Sequence, residues 1–250
     1  MRWIKWVHFL SLDVVLGAVL YQCFLYTSIM NRWPELSVMS ALAAAVGFIY
    51  VVDRWLDNRL HAPADERHLF FNTHRLLTVS LAIFWMFLGG WTLFDLPISL
   101  LRISGILALF MWLYWWAWSQ SWFSKRHGLK EFCTSALYAS GIFAPIFAQM
   151  EELSPSILFL WGALVLIAFQ NLYLFTRVDV LLRIVEIFTL LYLIYLAIYL
   201  QDFMRVVPFF VTFGIHVVLR VRGLNLRSAM TAEMAFFSPL LYLMYGIISK

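Results

Sequence analysis

Long apolar runs, separated by short polar ones, cover almost the whole chain. A spanning helix needs roughly 20 apolar residues. On that ruler the sequence predicts nine helices, approximately Ile4–Met30, Leu36–Tyr50, Leu76–Phe94, Ile98–Trp118, Phe132–Phe147, Ser156–Phe175, Leu181–Leu200, Val206–Leu219 and Ala229–Ile248. The second and eighth are short for a full span, and the second is expected to continue through Asp57. Only Thr176, Arg177, Asp179 and Arg183 interrupt the sixth and seventh, so eight helices with one long and bent is the rival count. The expected fold is an all-α integral membrane bundle forming a single domain over residues 1–250.

Composition agrees with that pattern. Of 250 residues, 63% are hydrophobic and 13% charged, about half the charge of an ordinary soluble domain. A soluble core cannot hide so much apolar surface, so lipid is the expected solvent. The first apolar run is too long for a cleavable signal and is read as a first span. The net charge of +4 then concerns sidedness and gives no reason to expect a nucleic-acid partner. With the N-terminus inside, all of the 18 Lys and Arg except Arg32, Arg102, Arg205 and Lys250 fall on the inner side. That asymmetry predicts an N-in, C-out orientation. The expected location is a multi-pass one, in a bacterial-type inner membrane. Cys23 and Cys133 both lie in apolar runs, which argues against a disulfide framework or a cysteine metal site.

The densest polar stretch is Tyr50–Arg75. Within it Asp53 and Asp57 are four apart, so a continuing helix puts both carboxylates on one face. Two carboxylates held together at a membrane surface suit a hard divalent cation such as Mg²⁺. Their other reading is a solvated helix end paired with Arg54 and Arg59. Asn171 and Asp179 are eight apart, about two turns, and share a face if one helix carries both. Asp179 is either part of a second metal or diphosphate site or an acid neutralised by Arg183. Lys125, Arg126 and Lys130, and equally Arg220, Arg222 and Arg227, suit phosphate oxygens, but inner loops are basic without any ligand. Asp13, Glu186 and Glu233 lie inside apolar runs, where an ionisable residue is a functional candidate or a packing device. The six histidines are not clustered as an intramembrane di-metal site requires. No Walker-type glycine loop and no H-E-x-x-H motif occurs.

Taken in order, these residues resemble a known family. Tyr50-Val51-Val52-Asp53-Arg54-Trp55-Leu56-Asp57 resembles the first aspartate motif of the UbiA superfamily of intramembrane prenyltransferases, N-D-x-x-D-R-x-x-D. Lys130-Glu131 with Tyr138, Gly141 and Pro145 is similar to the segment entering that family's fifth helix. Asn171 and Asp179 fall where its second aspartate motif lies. Arg227 to Glu233, with Ser238-Pro239, resembles the last helix of a divergent branch, whose first helix Asp13 also suits. Ile49 and Tyr50 replace the Asn and first Asp of the first motif, and Phe175 replaces the first acid of the second.

The resemblance implies a helical bundle around a central cavity, with Mg²⁺ and a prenyl diphosphate held at its inner end. Asp53, Asp57 and Asp179 would be the catalytic acids and metal ligands. Arg54, Lys125, Arg126, Arg177, Asn171 and Tyr50 would bind substrate. The expected activity is Mg²⁺-dependent transfer of a prenyl group to a lipid-soluble, aromatic or other acceptor. The alternative is a UbiA-like scaffold without transferase chemistry. It would bind an isoprenoid lipid, quinone or pigment, or serve as a subunit of a membrane complex. A small transporter is the third reading, against which stands the absence of Gly/Pro-broken midplane helices.

Overall fold

The computed structural model describes residues 2–60, 66–118, 128–174, 179–223 and 226–248. Among the described residues the chain is helical, with no strand. The helices are α1 (Arg2–Phe9), α2 (Leu12–Met30), α3 (Leu36–Leu60), α4 (Glu66–Thr73), α5 (Arg75–Thr92) and α6 (Ile98–Trp118). They continue as α7 (Leu129–Phe147), α8 (Pro155–Tyr173), α9 (Asp179–Leu200), α10 (Val207–Arg222), α11 (Leu226–Met234) and α12 (Pro239–Ile248). Six of them, α2, α3, α5, α6, α8 and α9, are long and apolar enough to cross a membrane. The second helix runs unbroken past Asp57, as expected. The weak break after the sixth apolar run separates two helices. α8 and α9 pack side by side, and the Tyr192 hydroxyl donates to the Phe159 carbonyl at 3.1 Å.

Burial decides which helix is the axis. α2 is apolar on all sides, and 67% of its span is buried, against 17% for α5 and for α6. A helix apolar all round belongs in an interior. α5 and α6 instead expose large side chains such as Phe87, Trp91, Phe110 and Trp112, the surface expected of helices that face lipid.

Two of the expected helices are broken, each for a local reason. The first run splits at Leu10–Ser11, where Ser11 takes a left-handed conformation with φ 57°. Asp13 then caps the new helix, its Oδ1 accepting the Val14 N–H at 3.0 Å. The last run splits at a 3-10 turn, Ala235–Phe237. Pro239 has no N–H to offer the Ala235 carbonyl. The Ser238 N–H takes that carbonyl at 3.1 Å in the tighter turn, and the Thr212 hydroxyl of α10 also lies 3.1 Å from it. The same hydroxyl is 2.9 Å from Tyr21 and 2.8 Å from Ser238, so a buried hydroxyl cluster ties α2, α10 and the α12 start together.

Helix approach depends on missing side chains. Trp85 of α5 occupies the space that a Cβ on Gly47 of α3 would fill. Gly47→Ala therefore forces the indole aside, and we expect a loss of about 1–3 kcal/mol. Thermal unfolding of the detergent-solubilised protein checks this, with Gly90→Ala in the same pair of helices as the control that does not lower stability, because nothing lies within 4 Å of a Cβ there and Ala is the better helix former.

Candidate functional site

α3 carries Asp53 and Asp57 in its last two turns, and four-residue spacing puts them on one face. α6 ends beside them at Trp118, whose Nε1 donates to Asp57 Oδ1 at 3.3 Å. α7 begins there too. Gly128, at φ 88°, donates its N–H to Glu131 Oε2 at 2.9 Å and so opens the helix. That start places Lys130 in the first turn, with its Nζ 3.3 Å from both Asp57 oxygens. The ammonium also lies 4.1 Å from the centre of the Trp118 ring, a cation–π contact. Asp57 and Lys130 are largely shielded, with side chains 17% and 22% exposed. Asp53 is partly buried one turn deeper, within electrostatic reach of Lys130, Asp57 and Arg54. One turn into α7, the Thr134 hydroxyl donates to the Lys130 carbonyl at 2.9 Å and lies 3.3 Å from the Tyr114 hydroxyl.

Above this polar group runs an apolar cavity of about 220 Å³, walled by α2, α3, α6 and α7. Val38, Leu96 and Leu100 line one end, and Tyr50, Met111 and Thr134 the end toward Asp53. Gly141 and Pro145 of α7 lie along the wall. Pro145 cannot donate to the Gly141 carbonyl, so α7 is loosened beside the empty volume.

Tyr50, Thr134 and Tyr138 also line a second, smaller chamber of about 40 Å³, together with Asn171, Ser135 and Glu233. Asn171 Oδ1 is buried there without a hydrogen-bond partner. Glu233 belongs to a cluster as well. His8 Nδ1 lies 2.7 Å from Asp13 Oδ2 and 3.1 Å from Glu233 Oε2, and all three residues are buried. Their ligand atoms fall within 4.8 Å of one another. A single imidazole thus holds two carboxylates from α2 and α11 together.

The expected site residues separate accordingly. Asp53, Asp57, Arg54 and Tyr50 gather on the end of α3. The Arg54 guanidinium lies 5.9 Å from the Tyr50 ring centre, and Arg59 lies 4.1 Å over Trp55. Asn171 lines the small chamber together with Tyr50. Lys125, Arg126 and Arg177 lie outside the described residues. Asp179 opens α9, and its side chain is not among those described. Arg220, a candidate phosphate ligand by sequence, is engaged elsewhere: its Nε donates to Glu186 Oε1 at 2.6 Å.

Sequence reasoning gave Lys130 no more weight than its basic neighbours, although it is the cation that meets Asp57. It also treated Asp13 and Glu233 separately and found no role for His8. An ionisable side chain inside each apolar run was the available signal, and charges in lipid seek one another. No family model, curated protein or solved structure matches this chain.

Replacing His8 removes the group that both carboxylates share. His8→Ala is expected to cost about 1 kcal/mol of stability, the scale of one lost buried hydrogen bond. The measurement is the thermal midpoint in detergent. An unchanged midpoint would mean the cluster adds nothing to stability.

Proposed function

We propose that this chain is a UbiA-like intramembrane prenyltransferase, moving a prenyl group from a prenyl diphosphate to a lipid-soluble acceptor. One observation carries the reading: an apolar cavity about 220 Å³ in volume is lined at one end by Tyr50 and Thr134, each one helical turn from the polar group of Asp53, Asp57 and Lys130. A chain-like apolar molecule with an anionic head needs that combination. In this reading nine segments cross the membrane, α11 and α12 counting as one, with the N-terminus inside. The site then faces the inner side of a bacterial-type membrane.

Each residue has a distinct task. Asp53 and Asp57 fit Mg²⁺ in the way that cation usually binds beside phosphates, through one or two carboxylates with the remaining positions left to phosphate oxygens and water. The bound ion would neutralise the departing diphosphate. Lys130 adds fixed positive charge at the same place, and such preorganised charge lowers a barrier without reorganising. Arg54, and from the undescribed segments Lys125, Arg126 and Arg177, would add further phosphate contacts. Asp179 would complete the acid set. The bond from the prenyl carbon to the diphosphate oxygen breaks with its electron pair going to oxygen. The acceptor then bonds to that carbon and gives up a proton. Tyr50 and Tyr138, on the cavity wall, would stabilise positive charge on the allylic carbon, and Asn171 would bind substrate from the adjoining chamber.

A second reading is favoured by Asp57 itself. Its two oxygens already face an ammonium and an indole N–H, so one candidate metal ligand is neutralised without a metal. On that reading the chain is a scaffold that binds an isoprenoid lipid, quinone or pigment, or a subunit of a membrane complex.

Purified protein in nanodiscs, supplied with labelled farnesyl or geranylgeranyl diphosphate and membrane lipid extract, separates the two. The transferase gives a labelled lipid product only with Mg²⁺. Asp53→Asn and Asp57→Asn each lower the rate by about 100-fold or more. Absence of product from the wild type, with an isoprenoid or a partner subunit co-purifying, supports the scaffold instead.

A further inference from the structure

Behind the acid pair, on the other side of α3, lies a second polar recess. Arg59 follows Asp57 by two residues, about half a turn round the helix, so it points away from the candidate site. With Trp55 and Asn58 it lines a pocket of about 260 Å³, whose other wall is Asn72, Arg75 and Thr78 at the junction of α4 and α5. None of these residues lines either chamber described above. Among the described residues the pocket gathers two arginines and no acid.

Those arginines differ from others in the bundle. Arg205 and Arg220 each meet a carboxylate, at 2.9 and 2.6 Å. Arg59 instead lies 4.1 Å from the centre of the Trp55 ring, and neither it nor Arg75 has a carboxylate partner among the described residues. Two like charges in one pocket repel, yet the Trp55 ring holds one of them in place. α5 begins at the same pocket, and no side chain caps its start, so the positive end of the helix dipole adds to the two guanidiniums. Arginine forks and helix-start N–H groups both match phosphate oxygens.

The surroundings distinguish a lipid phosphate from a free one. The pocket sits where two membrane-length helices, α3 and α5, have their ends. From there Leu76, Val79, Ile83 and Phe87 run along one face of α5, all exposed, an apolar stripe about 16 Å long at 1.5 Å per residue. A free anion needs only the charges. A phospholipid uses the charges for its head and the stripe for its chains.

We propose that this pocket is a headgroup site for an anionic phospholipid. Arg59 and Arg75 hold the phosphate, Asn58 and Asn72 offer amides to the rest of the headgroup, and the acyl chains lie against α5. The distribution of basic residues assigns the lipid to the inner leaflet. The site does not depend on which lipid, if any, the chain transforms.

The test is native mass spectrometry of the full chain in a neutral detergent, titrated with phosphatidylglycerol or with phosphatidylcholine of the same acyl chains. Mg²⁺ and prenyl diphosphate are left out, so transfer chemistry does not enter. The wild type is expected to bind phosphatidylglycerol more tightly. Arg59→Gln and Arg75→Gln are each expected to weaken that binding about fivefold, and the double variant about thirtyfold, the scale of one and two basic residues at an anionic lipid. Phosphatidylcholine binding stays unchanged. Both arginines are exposed, and the single variants carry the test if the double one does not fold. Equal binding of the two lipids by the wild type overturns the proposal, as does a preference that survives in the arginine variants. A preference lost instead in Lys130→Gln would place the headgroup at the acid pair and also overturns it. Inorganic phosphate is titrated as competitor and is expected not to displace the lipid. Displacement by phosphate would make the pocket a site for a free anion and overturn the lipid assignment. A missing transferase activity leaves all these affinities readable and counts only against the catalytic reading.

Discussion

The ion pair between Asp57 and Lys130 closes the end of the bundle on which the candidate site depends. Three helices meet there: the end of α3, the end of α6 through Trp118, and the start of α7. Charges removed from water are costly unless paired, so the pair draws these helix ends to one point. The same helices stay apart further along, where Gly141 and Pro145 interrupt α7, and the cavity is what remains between them. The polar mouth and the apolar chamber are thus two consequences of one packing arrangement.

The same economy recurs elsewhere in the bundle. His8, Asp13 and Glu233 join α1, α2 and α11. Glu186 and Arg220 join α9 and α10. Uncharged polar groups do similar work where the backbone itself is interrupted, as when Thr212 joins the Ser238 N–H at the Ala235 carbonyl. Lipid offers no hydrophobic drive between helices, so close packing and internal polar contacts must hold them. Gly47 beneath Trp85 and Gly17 beneath Phe236 supply the first, and the paired charges supply the second.

Against this background the buried polar atoms fall into two sets. Tyr21, Thr212 and Ser238 satisfy one another. Gln22, Gln170 and Asn171 each keep an oxygen without a partner, although Gln22 and Asn171 belong to the walls of the large and the small chamber. The satisfied groups join neighbouring helices, whereas these unpaired ones are spread over α2 and α8.

Much of the architecture was legible from the residues alone. Apolar run length is set by the thickness of the solvent it must cross, so the helices, the continuation of α3 through Asp57 and the separation of α8 from α9 followed from local pattern. The juxtaposition of Asp53 and Asp57 followed from helical periodicity. Local pattern did not reveal the breaks at Ser11 and at Ala235–Phe237, because both depend on partners distant in sequence: Glu233, with His8, beside Asp13, and Thr212 beside Ala235. Nor could it choose Lys130 from its basic neighbours or gather His8 with two remote acids. Sequence determined the solvent, the elements and the repeat of one face. Only the tertiary structure decided which charges meet and which polar atoms stay unpaired, because those depend on helix register and rotation, properties of pairs of helices that no single segment encodes.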